Sequence, residues 1–133
     1  MTACVRERKR EFDLSTVDII GYAAVELRRP SYFALAALID GPLHGYGIVK
    51  RAEELSDGEV RLSTGTLYAA LERATNESLV IAGDPYVVAG RERRDYQLTP
   101  AGRAALEQEA ARLAKAAQRV QRRLASTRRP ELA

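Results

Sequence analysis

The sequence is poor in the residues that most often carry chemistry: its 133 positions hold one cysteine, one histidine and no tryptophan. Cys4 has no second cysteine for an internal disulfide or a thiolate metal site, and His44 has no second histidine for a ligand pair. No metal and no cofactor is expected. No local motif assembles a nucleophile and a base around His44 or Cys4, and the glycine-rich stretch Gly41 to Gly47 lacks the Gly-Lys-Ser/Thr ending of a phosphate-binding loop. An enzyme is not expected either. Long apolar runs are also missing. The longest, Tyr32 to Ile39, has eight residues, against roughly 20 needed to span a bilayer. The basic cluster Arg6 to Arg10 is followed by Glu11, Asp13 and Asp18 rather than by an apolar stretch, so it does not read as a signal peptide. The expectation is a cytoplasmic protein with no membrane partner.

What the chain does contain is ordinary for a folded domain: 46% apolar and 29% charged residues, with 9 glycines and 5 prolines. The net charge of +3 is a weak pointer to a polyanionic partner. Its distribution says more. Residues 1–30 carry six basic and five acidic groups, residues 31–100 seven and ten, and residues 101–133 eight and three. Inside the acidic middle, Glu53, Glu54, Asp57 and Glu59 crowd one stretch while Arg91, Arg93 and Arg94 crowd another. A local basic patch survives a negative segment total.

Hydrophobic spacing divides the chain. Ser15 and Asp18 resemble a capping box, and Val17, Ile20, Ala24 and Leu27 recur at helical spacing, so residues 1–30 form an N-terminal extension with a helix over about 16–27. Ser31 to Asp40 is an apolar helix closed by Asp40-Gly41-Pro42. Tyr46, Val49, Ala52 and Leu55, with Ile48, mark the apolar face of a second helix that stops at Ser56-Asp57-Gly58. Ser63 caps a third, over about 64–77, with Leu67, Ala70, Leu71 and Ala74 on one face. Leu79-Val80-Ile81 and the alternating stretch Arg93 to Leu98 read as two strands joined by a loop at Gly83-Asp84-Pro85. Thr99-Pro100 then opens a long helix over about 100–126, leaving 127–133 as a flexible tail. This order is that of a winged helix-turn-helix over 31–99 followed by a C-terminal dimerisation helix: mainly α with a small β wing.

Three blocks sharpen that reading: GPLHGYGIVKRAEEL at 41–55, STGTLYAAL at 63–71 and GRERRDYQLTPAGRAAL at 90–106. Together they resemble the PadR family of bacterial transcriptional regulators, in particular its small members with a single C-terminal helix. The most specific pieces are the HGY at 44–46, the GTLY at 65–68 and the Tyr96-x-Leu98-Thr99-x-x-Gly102 junction. The sequence departs from the family pattern at Ala69, at Ala74, at Ser78 where glycine is usual, and at Asp95 where an aromatic residue is common. The resemblance implies a homodimeric repressor of a palindromic operator, and a small apolar or aromatic effector that relieves repression. Nothing in the sequence names that molecule, and a regulator without a ligand stays open.

The residues themselves suit such a partner. The second helix of a helix-turn-helix enters the major groove, and a helix N-terminus can hold a phosphate through free N–H groups. Ser63, Thr64, Gly65 and Thr66 form a small polar tip; Tyr68 turns away from the core-facing Leu67, and Arg73 lies two turns on. Tyr46 and Lys50 on the preceding helix join the candidate double-stranded DNA surface. Arg91, Arg93 and Arg94 supply the wing. Each has a structural alternative: Ser63 as a cap only, Tyr68 packed inward, the arginines paired with neighbouring acids. On the last helix, Leu106, Ala110, Leu113, Ala117, Val120 and Leu124 alternate at spacings of four and three, a heptad seam suited to a symmetric dimer. The competing reading is a winged-helix protein-interaction module that uses its C-terminal helix and binds no specific DNA.

Overall fold

Residues 27–128 are described by a computed structural model of the chain. The helix expected over 16–27, save its last residue, the basic cluster Arg6 to Arg10 and the end of the tail lie outside the described residues. The described elements run α1 (Arg29–Ala36), β1 (Leu43–His44), α2 (Gly45–Leu55), α3 (Thr64–Asn76), β2 (Val80–Ala82), β3 (Tyr86–Val88), β4 (Arg91–Arg93), β5 (Asp95–Leu98) and α4 (Pro100–Thr127). This is a mainly helical winged helix-turn-helix with one long C-terminal helix. No helix among the described residues is long and apolar enough to cross a membrane.

The core forms where α1, α2 and α3 turn their apolar faces together. Leu35 and Leu38 at and after the end of α1, Ile48 on α2, Leu71 on α3 and Val80 on β2 are its largest fully buried side chains, each contributing about 1.5–3 kcal/mol relative to exposure. Leu106 closes the core from α4. The turn between α2 and α3 is built on buried Ser56, whose hydroxyl accepts from Val60 N–H at 2.8 Å and thereby seats Val60 under the helices.

Several boundaries differ from those read in the sequence. The first helix starts at Arg29, because Pro30 falls in its first turn, where a missing N–H costs nothing. It gives way after Ala36 to turns held by bonds from Leu38 to Leu35 and from Ile39 to Ala36. The apolar face of α2 is Gly45, Ile48 and Ala52; Tyr46 and Leu55, expected on it, are exposed. β1 has no counterpart in the sequence reading, since two residues carry no period. The expected single strand over 93–98 is two strands broken at Arg94, and they belong to different sheets: β1-β5-β2, and a separate ribbon β3-β4. The ribbon turns at Ala89-Gly90, both at positive φ (51° and 77°), the pattern of a two-residue hairpin turn whose twist matches its strands.

The departure at Ser78 acquires a physical meaning. Leu79 N–H bonds to the Ala74 carbonyl and Ser78 N–H to the Thr75 carbonyl, a pattern that ends α3 with its C′ residue in the left-handed region. Ser78 sits there at φ 64°, where glycine pays no Cβ penalty. Replacing Ser78 by glycine is expected to stabilise the domain by about 0.5–1 kcal/mol, read as a rise of a few degrees in a thermal melt.

Candidate nucleic-acid interface

The tip of α3 is capped by its own sequence. Ser63 Oγ accepts from Thr66 N–H at 3.2 Å and donates to Thr66 Oγ1 at 3.0 Å. Thr64, Gly65 and Thr66 are exposed. A Cβ added at Gly65 would meet nothing within 4 Å, so no contact inside the protein requires a glycine at this position. Leu67, Ala70, Leu71 and Ala74 face the core, and Tyr68 lies on the outer side, 46% exposed.

Tyr68 is nonetheless held. A Cβ on Gly45 would come within 2.5 Å of its hydroxyl oxygen, so the glycine at the start of α2 makes room for the phenol of α3. β1 delivers that glycine by pairing Leu43 with Tyr96 and His44 with Asp95. The result is a cleft of about 330 Å³ whose walls include His44, Tyr46, Tyr68, Tyr96, Arg91, Arg93 and Arg94, with one acid, Glu92. Tyr96 is a site residue that the sequence reading used only as part of a motif. Its phenol is held above its ordinary value, chiefly by burial and further by nearby Tyr68, with Arg94 pulling the other way.

Strand register orients the wing. Tyr86 pairs with Arg93, Val87 with Glu92 and Val88 with Arg91, and alternation puts Arg91 and Arg93 on one face and Glu92 on the other. Glu92 still lines the cleft beside them. Among the described residues, neither Arg91 nor Arg93 forms an ion pair, whereas Arg29, Arg51, Arg61 and Arg112 pair with Glu59, Asp40, Glu53 and Glu109 in turn. The acidic cluster belongs to the far end of α2 and the turn after it, about 15 Å along the helix from the cleft. Arg94 differs from its neighbours: its Nη1 donates to the Gly83 carbonyl at 2.9 Å.

Not every expected residue gathers here. Lys50 lies one turn beyond Tyr46, its ammonium 5.9 Å from that ring's centroid. Arg73 sits in the last turn of α3, beside Ser31 and Glu77, where it complements the helix dipole and does not line the cleft.

On α4, Leu106 is buried in its own domain and is therefore not an open seam position. Glu109 is buried too and pairs with Arg112. From Ala110 to Arg128 every residue is exposed except half-buried Ala116. Leu113, Val120 and Leu124 are 42%, 58% and 61% exposed, with Ala110 and Ala117 between them. This free stretch is about 27 Å long, and in proteins most helical stability comes from packing an amphipathic face rather than from propensity.

Comparison with known proteins agrees with this geometry. The model of the transcriptional regulator PadR-like family matches residues 34–108. A transcriptional regulator of Mycobacterium tuberculosis is 43% identical over 70 residues, covering 53% of this chain and 62% of that protein. An uncharacterized 37.1 kDa protein in a Streptomyces fradiae transposon is 46% identical over 86 residues, covering 65% of this chain and 23% of its own length. The chain thus spans less than two thirds of either relative. Among solved structures, a PadR family transcription regulator from Clostridium difficile shares the fold at 23% identity and a TM-score of 0.61, covering 73% of this chain and 99% of that one. Bacillus subtilis PadR in complex with operator DNA shares it at 24% identity and 0.54, covering 61% and 47%. With the family model matching more than half of its residues, the chain belongs to the PadR-like family of transcriptional regulators.

Proposed function

We propose that the protein is a cytoplasmic, homodimeric repressor that reads a palindromic operator through the tip of α3 and grips the flanking backbone with its wing. The observation that carries this reading is the pair Arg91 and Arg93: two guanidinium groups on one ribbon face, without an ion-pair partner among the described residues, lining one cleft with Tyr68 of α3. Arg29, Arg51, Arg61 and Arg112 are neutralised by acids, whereas these two are available to phosphate. Ser63, Thr64, Gly65, Thr66, Tyr68 and Tyr46 would then face the groove and its edges, Lys50 and Arg94 the backbone, and Arg73 a more distant phosphate. The fold is one on which Bacillus subtilis PadR holds operator DNA.

Gly65 gives a direct test. Its open surroundings mean that alanine is harmless to the fold and, as the better helix former, raises stability by up to about 1 kcal/mol. A Cβ facing DNA blocks close approach of the α3 backbone. Gly65→Ala is therefore expected to melt no lower than wild type while binding operator about tenfold more weakly; unchanged affinity would remove the α3 tip from the interface.

The seam completes the proposal. Ala110, Leu113, Ala117, Val120 and Leu124 of two copies would pack together, with Leu106 supporting the helix from inside its own domain. Two-fold symmetry then sets the recognition helices about 34–36 Å apart and demands an inverted repeat. Replacing Val120 and Leu124 by glutamate is expected to halve the mass seen by sedimentation; retention of the dimer would place the interface elsewhere. A small effector would have room beside this seam, in the cavity of about 360 Å³ between α1 and α4, whose walls join Tyr32, Phe33 and Leu113 with the charged Arg29, Glu109 and Arg112.

A further inference from the structure

The wing ribbon leaves the domain after Gly83 and returns at Arg94, and three hydrogen bonds close that neck. Gly83 N–H donates to the Asp95 carbonyl at 2.7 Å, Arg94 Nη1 donates to the Gly83 carbonyl at 2.9 Å, and the Tyr86 hydroxyl donates to Asp95 Oδ1 at 2.5 Å. Of the three, only the last joins the ribbon itself to the three-stranded sheet, because Tyr86 is in β3 and Asp95 in β5. No strand ladder links the two sheets. Packing supplies little either, since every residue from Tyr86 to Glu92 is exposed. Asp95, by contrast, is anchored: it is half-buried and paired in register with His44.

We propose that the Tyr86–Asp95 hydrogen bond is a latch that fixes the angle of the wing to α3, making Tyr86 and Asp95 positioning residues for Arg91 and Arg93. The lever is short but effective. Tyr86 stands opposite Arg93, and Arg91 lies two pairs further out; at about 3.4 Å per strand residue, a swing of about 20° at the neck moves the Arg91 backbone by about 2 Å. That displacement is enough to carry a guanidinium off a phosphate it would otherwise reach at hydrogen-bond distance. Its consequence for DNA rests on the proposed function above, whereas the latch itself is a property of the free protein.

The test uses the full chain in four forms: wild type, Tyr86→Phe, Asp95→Ala and Asp95→Asn, the last keeping an acceptor oxygen. In the free protein, amide hydrogen exchange over residues 86–93 is expected to quicken in Tyr86→Phe and Asp95→Ala and to stay near wild type in Asp95→Asn. With a duplex selected by the wild type from a random pool, the first two should bind about three- to tenfold more weakly, with a shallower salt dependence. In a background already carrying Arg91→Ala and Arg93→Ala, Tyr86→Phe should cost no further affinity, since coupled residues are non-additive. Exchange unchanged by Tyr86→Phe, or an equal loss of affinity in both backgrounds, overturns the latch. Should the wild type bind no DNA, the proposed function fails, and the exchange comparison still decides the latch.

Discussion

Replacing Gly102 by alanine is expected to cost about 3 kcal/mol or more of stability, a large part of the 5–15 kcal/mol typical of a domain. Gly102 is buried in the first turn of α4, against the end of α3 and the start of β2. An added Cβ would overlap the Leu79 carbonyl oxygen and come within 2.8 Å of Leu98 Cδ1. The side chain could shift, but the carbonyl cannot. Leu79 O already accepts from Thr99 N–H at 3.0 Å, and Thr99 Oγ1 both donates to the Ser78 carbonyl at 2.7 Å and accepts from Gly102 N–H at 2.9 Å. Moving α4 outward to admit a methyl group would break that set of bonds and open the core at Leu106. A thermal melt should show the midpoint falling by about 12 °C or more, and an unchanged midpoint would refute this account of the junction. The same substitution at exposed Gly65 is expected to do the reverse, so the effect belongs to the site and not to the residue type.

Loss of both Arg91 and Arg93 is the second large effect. The double alanine variant is expected to bind operator about ten- to a hundredfold more weakly at 0.15 M salt. The slope of log affinity against log salt should also shrink by about 1.8, close to 0.9 for each phosphate contact removed. Stability should barely change, because neither side chain forms an ion pair among the described residues and Arg91 is exposed on the ribbon. Weakened binding with the full salt slope retained would mean that the arginines shape the wing without touching phosphate.

How much of this was legible in the sequence depends on the kind of signal. The helices α3 and α4 were readable nearly to their ends, because Ser63 and Thr99 are side-chain caps and cap chemistry is local. The apolar face of α2 was read correctly at Ile48, Val49 and Ala52 and misread at its ends. Tyr46 and Leu55 fit a helical period, but tertiary packing selected the stripe through Gly45 and Ile48, where glycine yields its space to Tyr68. The wing hairpin was invisible for a different reason: its turn is Ala89-Gly90, and alanine at φ 51° is no turn signal. β1 was too short to carry a pattern. For the site, residue types and their order were enough to nominate the tip of α3 and the wing arginines as candidates. What the sequence could not supply was convergence: which tyrosines share the cleft, that Arg91 and Arg93 share a ribbon face, and that Arg73 lies apart. Leu106 shows the limit most plainly, since a heptad written along one helix does not say which of its positions its own domain already covers.

The central claim is that two copies of the α3 tip and wing read one two-fold DNA sequence. Selection of bound duplexes from a random pool by the full chain, followed by salt titration of the enriched sequence, tests it most directly. The expected product is an inverted repeat with half-site centres about 10–10.5 base pairs apart or a multiple of that, bound by a dimer with affinity falling steeply as salt rises. Recovery of no enriched sequence, with no binding even at low salt, would contradict it.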